Sequence, residues 1–312
     1  MDAVLLVGTG PMAIEYHKVL TALDVPVVTV GRGAESAGRF SAATGYEPVL
    51  GLDGVLARKR RFETAIVAVN VDQLATVAGQ LMTQGTRKIL LEKPGGLNLA
   101  EVTDLESTRR RLSSQVWLGY NRRFYASTTE ANRLISEDGG LLSFTFEFTE
   151  WSHVVANLPL SDDVKGTWVL ANSSHVLDLA FFFGGIPAEL STWSVGSLPW
   201  HASARFVGAG VTNTAVPFSY SADWEAPGRW GIELETRARR LILRPLEELK
   251  QVAKGSLDLV SVPVDRSSDL DFKPGLLEEV RAFLTGTDAR LCTLTEQCDR
   301  VAVYSRIAGY PE

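Results

Sequence analysis

Cysteine is nearly absent: the 312 residues include two, Cys292 and Cys298, without the C-x-x-C spacing of a zinc or redox site. A disulfide framework is therefore excluded, and the pair reads as reduced thiols in a cytoplasmic protein. Histidine is also scarce, with four residues, and no Cys/His cluster has ligand spacing, so no metal site is expected and a zinc-dependent alcohol dehydrogenase is disfavoured. A G-x-S-x-G elbow is missing too, which argues against a nucleophilic hydrolase. Basic charge is not in excess. With 31 Lys and Arg against 37 Asp and Glu the net charge is -6, so a nucleic-acid partner held through its phosphates is not expected, and Lys59-Arg60-Arg61 reads as a solvated helix end.

Long apolar runs are lacking as well. Val176 to Ile186 is the most apolar later stretch, but Asp178 interrupts it and it falls short of the ~20 residues that span a bilayer. The N-terminus enters an apolar run directly after Met1-Asp2-Ala3, without the charged and cleavable parts of a signal peptide, so neither secretion nor a membrane partner is expected. Hydrophobic residues make up 45% and charged residues 22%, ordinary globular usage rather than that of a disordered chain. Neither an internal repeat nor a low-complexity linker is visible.

What is present divides into two textures, predicting one domain over residues 1–120 and a second over 121–312. In the first, short apolar runs alternate with helical-period segments, the pattern of a doubly wound α/β fold with a parallel sheet, a Rossmann domain. The expected strands are Val4 to Val7, Val25 to Val30, Tyr46 to Val49, Ala65 to Val69, Lys88 to Leu91 and Val116 to Gly119. Helical stripes run through Met12, Tyr16, Val19, Leu20 and Leu23, and through Leu74, Val77, Ala78, Leu81 and Met82. The second texture predicts an α+β domain with a mostly antiparallel sheet. A helix from about Tyr125 to Glu137 is followed by strands at Leu142 to Phe148, Glu189 to Val195, Ala204 to Val207, Phe218 to Trp224, Trp230 to Glu235 and Arg240 to Leu243. Helices return at Gly275 to Leu284 and Leu294 to Ile307.

Gly8-Thr9-Gly10-Pro11-Met12-Ala13 matches G-x-G-x-x-A directly after a predicted strand and at the start of a predicted helix. The first glycine permits a tight turn, the second lets the backbone approach a pyrophosphate, and Ala13 lets helix and strand pack closely. The helix N-terminus offers unsatisfied N-H groups to the phosphates. At the end of the second strand, where an acid would hold the ribose 2'-hydroxyl of NAD, the chain reads Val30-Gly31-Arg32. Without that acid a 2'-phosphate meets no repulsion, and Arg32 supplies a fork of donors, so NADP(H) is expected in preference to NAD(H), which remains possible.

Four segments together resemble the glucose-fructose oxidoreductase and inositol dehydrogenase family, often written Gfo/Idh/MocA: Gly8 to Ala13, Leu91-Glu92-Lys93-Pro94-Gly95, Gly119-Tyr120-Asn121-Arg122-Arg123-Phe124, and Ser174-His175-Val176-Leu177-Asp178. They cover about the first 190 residues in the family's order; Glu-Lys-Pro is the most specific. The resemblance implies hydride transfer between a nicotinamide and a carbon bearing a hydroxyl or carbonyl, on a sugar, nucleotide sugar or cyclitol. It also implies an open sheet face that forms a homodimer or homotetramer. By matching motifs, Lys93 would sit beside the nicotinamide, with Pro94 holding the peptide bond that positions it, and His175 would face the reacting oxygen. The candidate cofactor set is Gly8, Thr9, Gly10, Pro11, Met12, Gly31, Arg32, Asn70, Glu92 and Lys93.

The chemistry suits these residues. Oxidising an alcohol releases a proton, and Lys93, partly buried beside a cationic nicotinamide, would have its pKa lowered towards the working range. His175 needs less adjustment, since an imidazole ordinarily titrates near ~6.5. Asp178, three residues on, would share its helix face and could orient the ring or a substrate hydroxyl. Asn121, Arg122, Lys165, Trp168 and Asn172 are the further substrate candidates: Lys165 could meet a carboxylate or phosphate, and Trp151 and Trp168 could wall a sugar ring. A solvated lysine and core tryptophans are the bland alternatives.

One position departs from the family pattern. Many members carry Asp four residues before the histidine, where it relays a proton; here that place is Ala171, and Asn172 beside it cannot act as a base. This leaves Lys93 as the main acid/base candidate. It also keeps two other readings open: a reductase of the biliverdin-reductase kind, and a cofactor-binding sensor or partner subunit without catalysis.

Overall fold

The protein is described from a computed structural model over residues 3–57 and 62–311; the basic run Lys59-Arg60-Arg61 lies outside them. The chain forms two compact units, Met1–Asn121 with Ser268–Cys298, and Arg122–Ser267 with Asp299–Glu312.

The first unit opens with strands β1 (Val4–Val7), β2 (Val27–Gly31), β3 (Val49–Leu50), β4 (Thr64–Val67), β5 (Lys88–Leu91) and β6 (Gln115–Leu118). They pair in parallel in the order β6-β5-β4-β1-β2-β3. Between them run helices α1 (Pro11–Ala22), α2 (Ala34–Thr44), α3 (Leu52–Ala57), α4 (Leu74–Thr83) and α5 (Leu99–Leu112). The doubly wound expectation holds. All four residues of β1 are buried, as a central strand requires when both faces are covered. In α1 the stripe Tyr16, Val19 and Leu20 faces inward with Ala13, and Pro11 occupies a first-turn position that needs no N-H partner.

Two elements differ from expectation for clear reasons. The strand expected at Tyr46 to Val49 pairs only over Val49–Leu50, because Pro48 has no N-H to donate; Tyr46 instead sends its hydroxyl to the Val27 carbonyl (3.2 Å). Helix α2 was not anticipated, since its alanines, serines and Gly38 draw no apolar stripe beyond Ala37 and Phe40.

In the second unit, α6 (Ala126–Glu137) leads to β7 (Ser143–Glu147), the short helices α7 (Ser152–Ala156) and α8 (Asp162–Gly166), a π-helical turn over Val169–Ser173, and α9 (Ser174–Gly184). Strands β8 (Pro187–Val195), β9 (Arg205–Thr212), β10 (Pro217–Asp223), β11 (Gly231–Glu235), β12 (Arg239–Leu243), β13 (Lys250–Ala253) and β14 (Val260–Ser261) complete a sheet in the order β14-β13-β12-β11-β7-β10-β9-β8. Only β7 and β10 pair in parallel, so the mostly antiparallel reading is correct. Its core is aromatic. Phe144 and Phe146 stack on Phe218 and Tyr220 at 5.3 Å each, and Phe181 of α9 meets Phe144, Phe146 and Phe218 edge-on. Strand β9 runs longer than expected because Gly208 and Gly210 hide its alternation; a Cβ at either would lie within 3 Å of the Tyr220 or Phe218 ring.

Residues 268–298 return to the first unit, which corrects a second domain read as continuous from 121 to 312. After α10 (Ser267–Leu270) and α11 (Leu276–Thr285), β15 (Cys292–Thr293) pairs antiparallel with β6 and closes that sheet edge before α12 (Leu294–Ala308) begins. Helix α11 packs on α1, burying Leu276, Leu277, Val280 and Phe283. The apolar pattern announces such helices but not the sheet they cover.

Candidate active site

At the carboxyl edge of the first sheet, β1 ends in Gly8, β2 in Gly31 and Arg32, β4 leads to Asn70, and β5 to Glu92 and Lys93. This is the edge, beside the reversal of strand order at β1 and β4, where open α/β sheets bind ligands. Gly8 has φ +130°, and a Cβ there would strike the Ala68 carbonyl at 2.1 Å, so only glycine serves. A Cβ at Gly10 would meet nothing within 4 Å: the space over the turn is open, as close approach of a phosphate needs. Gly10 caps α1 without a side-chain hydrogen bond, leaving the helix N-H groups to a ligand. Pro11, Arg32 and Asn70 are exposed and Met12 is partly so, its sulfur 3.1 Å from the Lys273 ammonium. These features fit a dinucleotide pyrophosphate. The Thr9 hydroxyl donates to Ser36 Oγ (2.9 Å), which donates to the Gly33 carbonyl (3.1 Å), and the Thr9 methyl fills the space a side chain at Gly31 would need.

Lys93 is partly exposed, and its bond to Pro94 is cis. Two groups hold this loop, of which the sequence reading missed the first. Gln297, fully buried, donates from Nε2 to the Pro94 carbonyl (2.9 Å) and to the Tyr120 hydroxyl (3.0 Å). On the other side of Lys93, Glu92, expected in the cofactor set, turns its side chain into the unit and accepts a hydrogen bond from Tyr16 (2.9 Å). Burial pushes the Glu92 carboxyl up, opposed by the charge of Lys93 and the Tyr16 hydrogen bond; burial and the charges of Glu92 and Glu279 push the Tyr16 phenol well above its ordinary value. Asn121 is likewise a correction: it is buried and donates to the Pro274 carbonyl (2.9 Å), bracing the returning segment rather than facing substrate.

In the second unit His175 lies in the first turn of α9, partly exposed, its ring 6.3 Å from that of Trp230. Asp178 does not share its role. It is held by Arg123 through two hydrogen bonds (2.8 and 2.6 Å) and faces Arg300 at 3.4 Å, with 1% of its side chain exposed, so it is a structural ion pair. The expected substrate contacts of Lys165 and Trp168 are also corrected. Lys165 is buried and donates to the Ala156 carbonyl (2.9 Å), and Trp168 is buried edge-on against Trp200. Ala171 is buried in the π-helical turn, and Asn172, partly exposed, donates to Glu150 Oε1 (2.9 Å).

Glu150 was missed entirely. It is 2% exposed, and its Oε1 also accepts from Ser173 (2.7 Å) and Trp230 (3.2 Å), while Oε2 meets Arg229 (3.2 Å). Burial raises its carboxyl above the ordinary range against the pull of these donors. Local pattern carried little signal for it: β7 ends at Glu147 and Thr149 is buried beside it, so the alternation of Phe144 and Phe146 does not reach the acid. Among the described residues no group of three or more His, Cys, Asp or Glu could hold a metal, and no helix is long and apolar enough to cross a membrane.

No family model matches the sequence, and no curated protein matches it. Solved structures do. UDP-N-acetylglucosamine 3-dehydrogenase from Acidithiobacillus ferrooxidans aligns over 98% of this chain and 96% of its own with a TM-score of 0.76 at 15% identity. An oxidoreductase from Agrobacterium radiobacter, solved with NAD+, L-tartaric acid and magnesium, aligns over 97% and 94% with a TM-score of 0.79 at 13% identity. Levoglucosan dehydrogenase, solved with NADH and L-sorbose, aligns over 98% and 95% with a TM-score of 0.79 at 15% identity. The chain shares their fold. These neighbours are named as dehydrogenases and oxidoreductases.

Proposed function

We propose that the chain is an NADP(H)- or NAD(H)-dependent oxidoreductase that exchanges hydride with a hydroxyl or carbonyl carbon of a sugar, nucleotide sugar or cyclitol. The observation that carries this reading is Lys93, two residues beyond β5, on the same sheet edge as the Gly8 to Gly10 turn. The named activities of the structural neighbours, on a nucleotide sugar and on levoglucosan, support the substrate class.

When bound, the nicotinamide supplies or accepts the hydride. Lys93 Nζ takes the proton from the substrate hydroxyl in oxidation and returns it in reduction. His175 and Asn172, both partly exposed, are the proposed substrate contacts of the second unit, and Asp178 and Glu92 are assigned to holding structure. Arg32, exposed just past β2, pairs with the 2'-phosphate of NADP(H), which supports a preference for that cofactor over NAD(H).

Fluorescence titration of NADPH and NADH against wild-type and Arg32→Ala protein at fixed salt tests this. NADPH binding should weaken selectively in the variant, and a sugar panel should show stoichiometric cofactor turnover. Failure of both cofactors to bind folded protein rejects the reading. A cytoplasmic setting is part of the proposal, and the low cysteine content, two residues outside C-x-x-C spacing, supports it. A homodimer or homotetramer is supported by the outer face of the second sheet, where Trp193, Val195, Val207 and Val211 are exposed and Trp193 lies opposite Val207. Ala171 favours a second reading, a cofactor-binding sensor, for which Lys93→Ala would alter no activity.

A further inference from the structure

We propose that Glu150 is a positioning residue: it holds the Asn172 amide with its nitrogen inward and its carbonyl oxygen open, so that the second unit binds substrate through a hydroxyl that donates to Asn172 Oδ1. The inference rests on the oxidoreductase reading and deepens it by naming the group the substrate must present.

Both oxygens of Glu150 face groups that can only donate. The Trp230 indole reaches Oε1 at 3.2 Å and the Arg229 guanidinium reaches Oε2 at 3.2 Å, and neither has a lone pair to receive a proton. The Ser173 hydroxyl adds a further bond to Oε1 at 2.7 Å. The carboxyl therefore acts as an acceptor on each side, and the Asn172 atom 2.9 Å from Oε1 has to be the amide nitrogen. The Asn172 oxygen turned there instead would set acceptor against acceptor.

The other end of the amide follows. Asn172 is partly exposed, the bond to Glu150 is the one its side chain makes among the described residues, and its Oδ1 reaches solvent. This open acceptor stands three residues before His175, where the π-helical turn runs into α9. Glu150 also fixes a second neighbour of that histidine, since Trp230, held by the same Oε1, has its ring 6.3 Å from the imidazole. Arg229 supplies the matching charge, stacked at 5.0 Å on Trp151 and 4.7 Å on Trp230. An open acceptor selects a hydroxyl over an ether, a carbonyl or fluorine in the same place, and an open amide N-H would select the reverse.

The test measures kcat/KM with NADP+ for D-glucose and for its monodeoxyfluoro analogues, in which fluorine replaces one hydroxyl and cannot donate. Wild type is compared with Asn172→Ala, Glu150→Gln and Glu150→Leu. The analogue fluorinated at the reacting carbon should fail in every protein. One other should fall about five- to tenfold below glucose in wild type, the scale of one hydrogen bond, and that gap should close in Asn172→Ala. Glu150→Gln, which keeps an oxygen for the three donors, should retain the gap, and Glu150→Leu, which lets the amide turn, should lose it. No gap in wild type, or a gap that survives Asn172→Ala or Glu150→Leu, overturns the proposal.

Thermal melts of Asn172→Asp give a second readout that needs no substrate and serves if Glu150→Leu does not fold. This substitution sets a carboxylate against Glu150, with Arg229 as the one cation facing that acid among the described residues. Tm should fall below wild type at neutral pH, and the difference should shrink as acid protonates the pair. If D-glucose is not turned over these melts decide, and equal Tm at every pH overturns the proposal. If NADPH does not bind folded protein, the oxidoreductase reading fails instead, and the melts still decide whether Glu150 holds the amide.

Discussion

Arg123 grips Asp178 with both oxygens engaged, Nε to Oδ2 at 2.8 Å and Nη2 to Oδ1 at 2.6 Å, and each side chain is 1% exposed. The pair joins the short helical turn Asn121–Phe124 to α9, the helix that carries His175. The acid is therefore committed to holding the helix.

Removing one member of such a buried pair strands the other's charge. Asp178→Ala should lower unfolding free energy by about 3–5 kcal/mol, measured by urea denaturation. Any folded fraction should keep the wild-type pH dependence of turnover, whereas a displaced pH profile would return Asp178 to the proton path.

Gln297 is the second prediction. Gln297→Leu removes the donor shared by the Pro94 carbonyl and the Tyr120 hydroxyl and frees the loop that carries Lys93. kcat should fall about ten- to a hundredfold, the scale of a misplaced catalytic group, while NADPH titration remains close to wild type. Equal loss of both would make Gln297 a general packing residue.

Lys93→Met keeps the apolar stem and removes the proton carrier. Turnover should drop by about two to four orders of magnitude with cofactor affinity retained. A variant with unchanged turnover would favour the sensor reading.

The fourth prediction concerns acid stability. Burial alone would raise the Glu106 carboxyl, but hydrogen bonds from Arg109, Arg110 and Thr295 outweigh it and bring it down to about 2. A depressed carboxylate contributes stability above its ordinary pKa and loses it as pH falls from about 4.5 towards about 2. Wild type should thus exceed Glu106→Gln by up to about 3 kcal/mol at neutral pH, and the gap should close on acidification through that window. A gap constant with pH would show that the arginines do not depend on the charge of Glu106.

Much of the first unit was legible because its signals are local. Gly8, Gly10 and the apolar runs around them report on neighbours a few residues away, as does the Glu92-Lys93-Pro94 step. The chemistry of the second unit depends on pairings that no local pattern carries. Asp178 and His175 share a helix, yet Arg123, 55 positions away, determines what the acid does. Glu150 meets Trp230 across 80 positions, and Gln297 meets Pro94 across 203. Spacing along the chain names residue types suited to a reaction, while packing decides which of them reach a ligand.

The return of residues 268–298 to the first unit bears on how the protein is made. A nascent chain that has reached residue 121 holds the whole nucleotide turn and Lys93, but β6 still lacks β15 and the Pro94 carbonyl still lacks Gln297. That unit cannot finish folding until nearly all of the polypeptide has left the ribosome, so the nucleotide unit, begun first, is among the last parts to be completed.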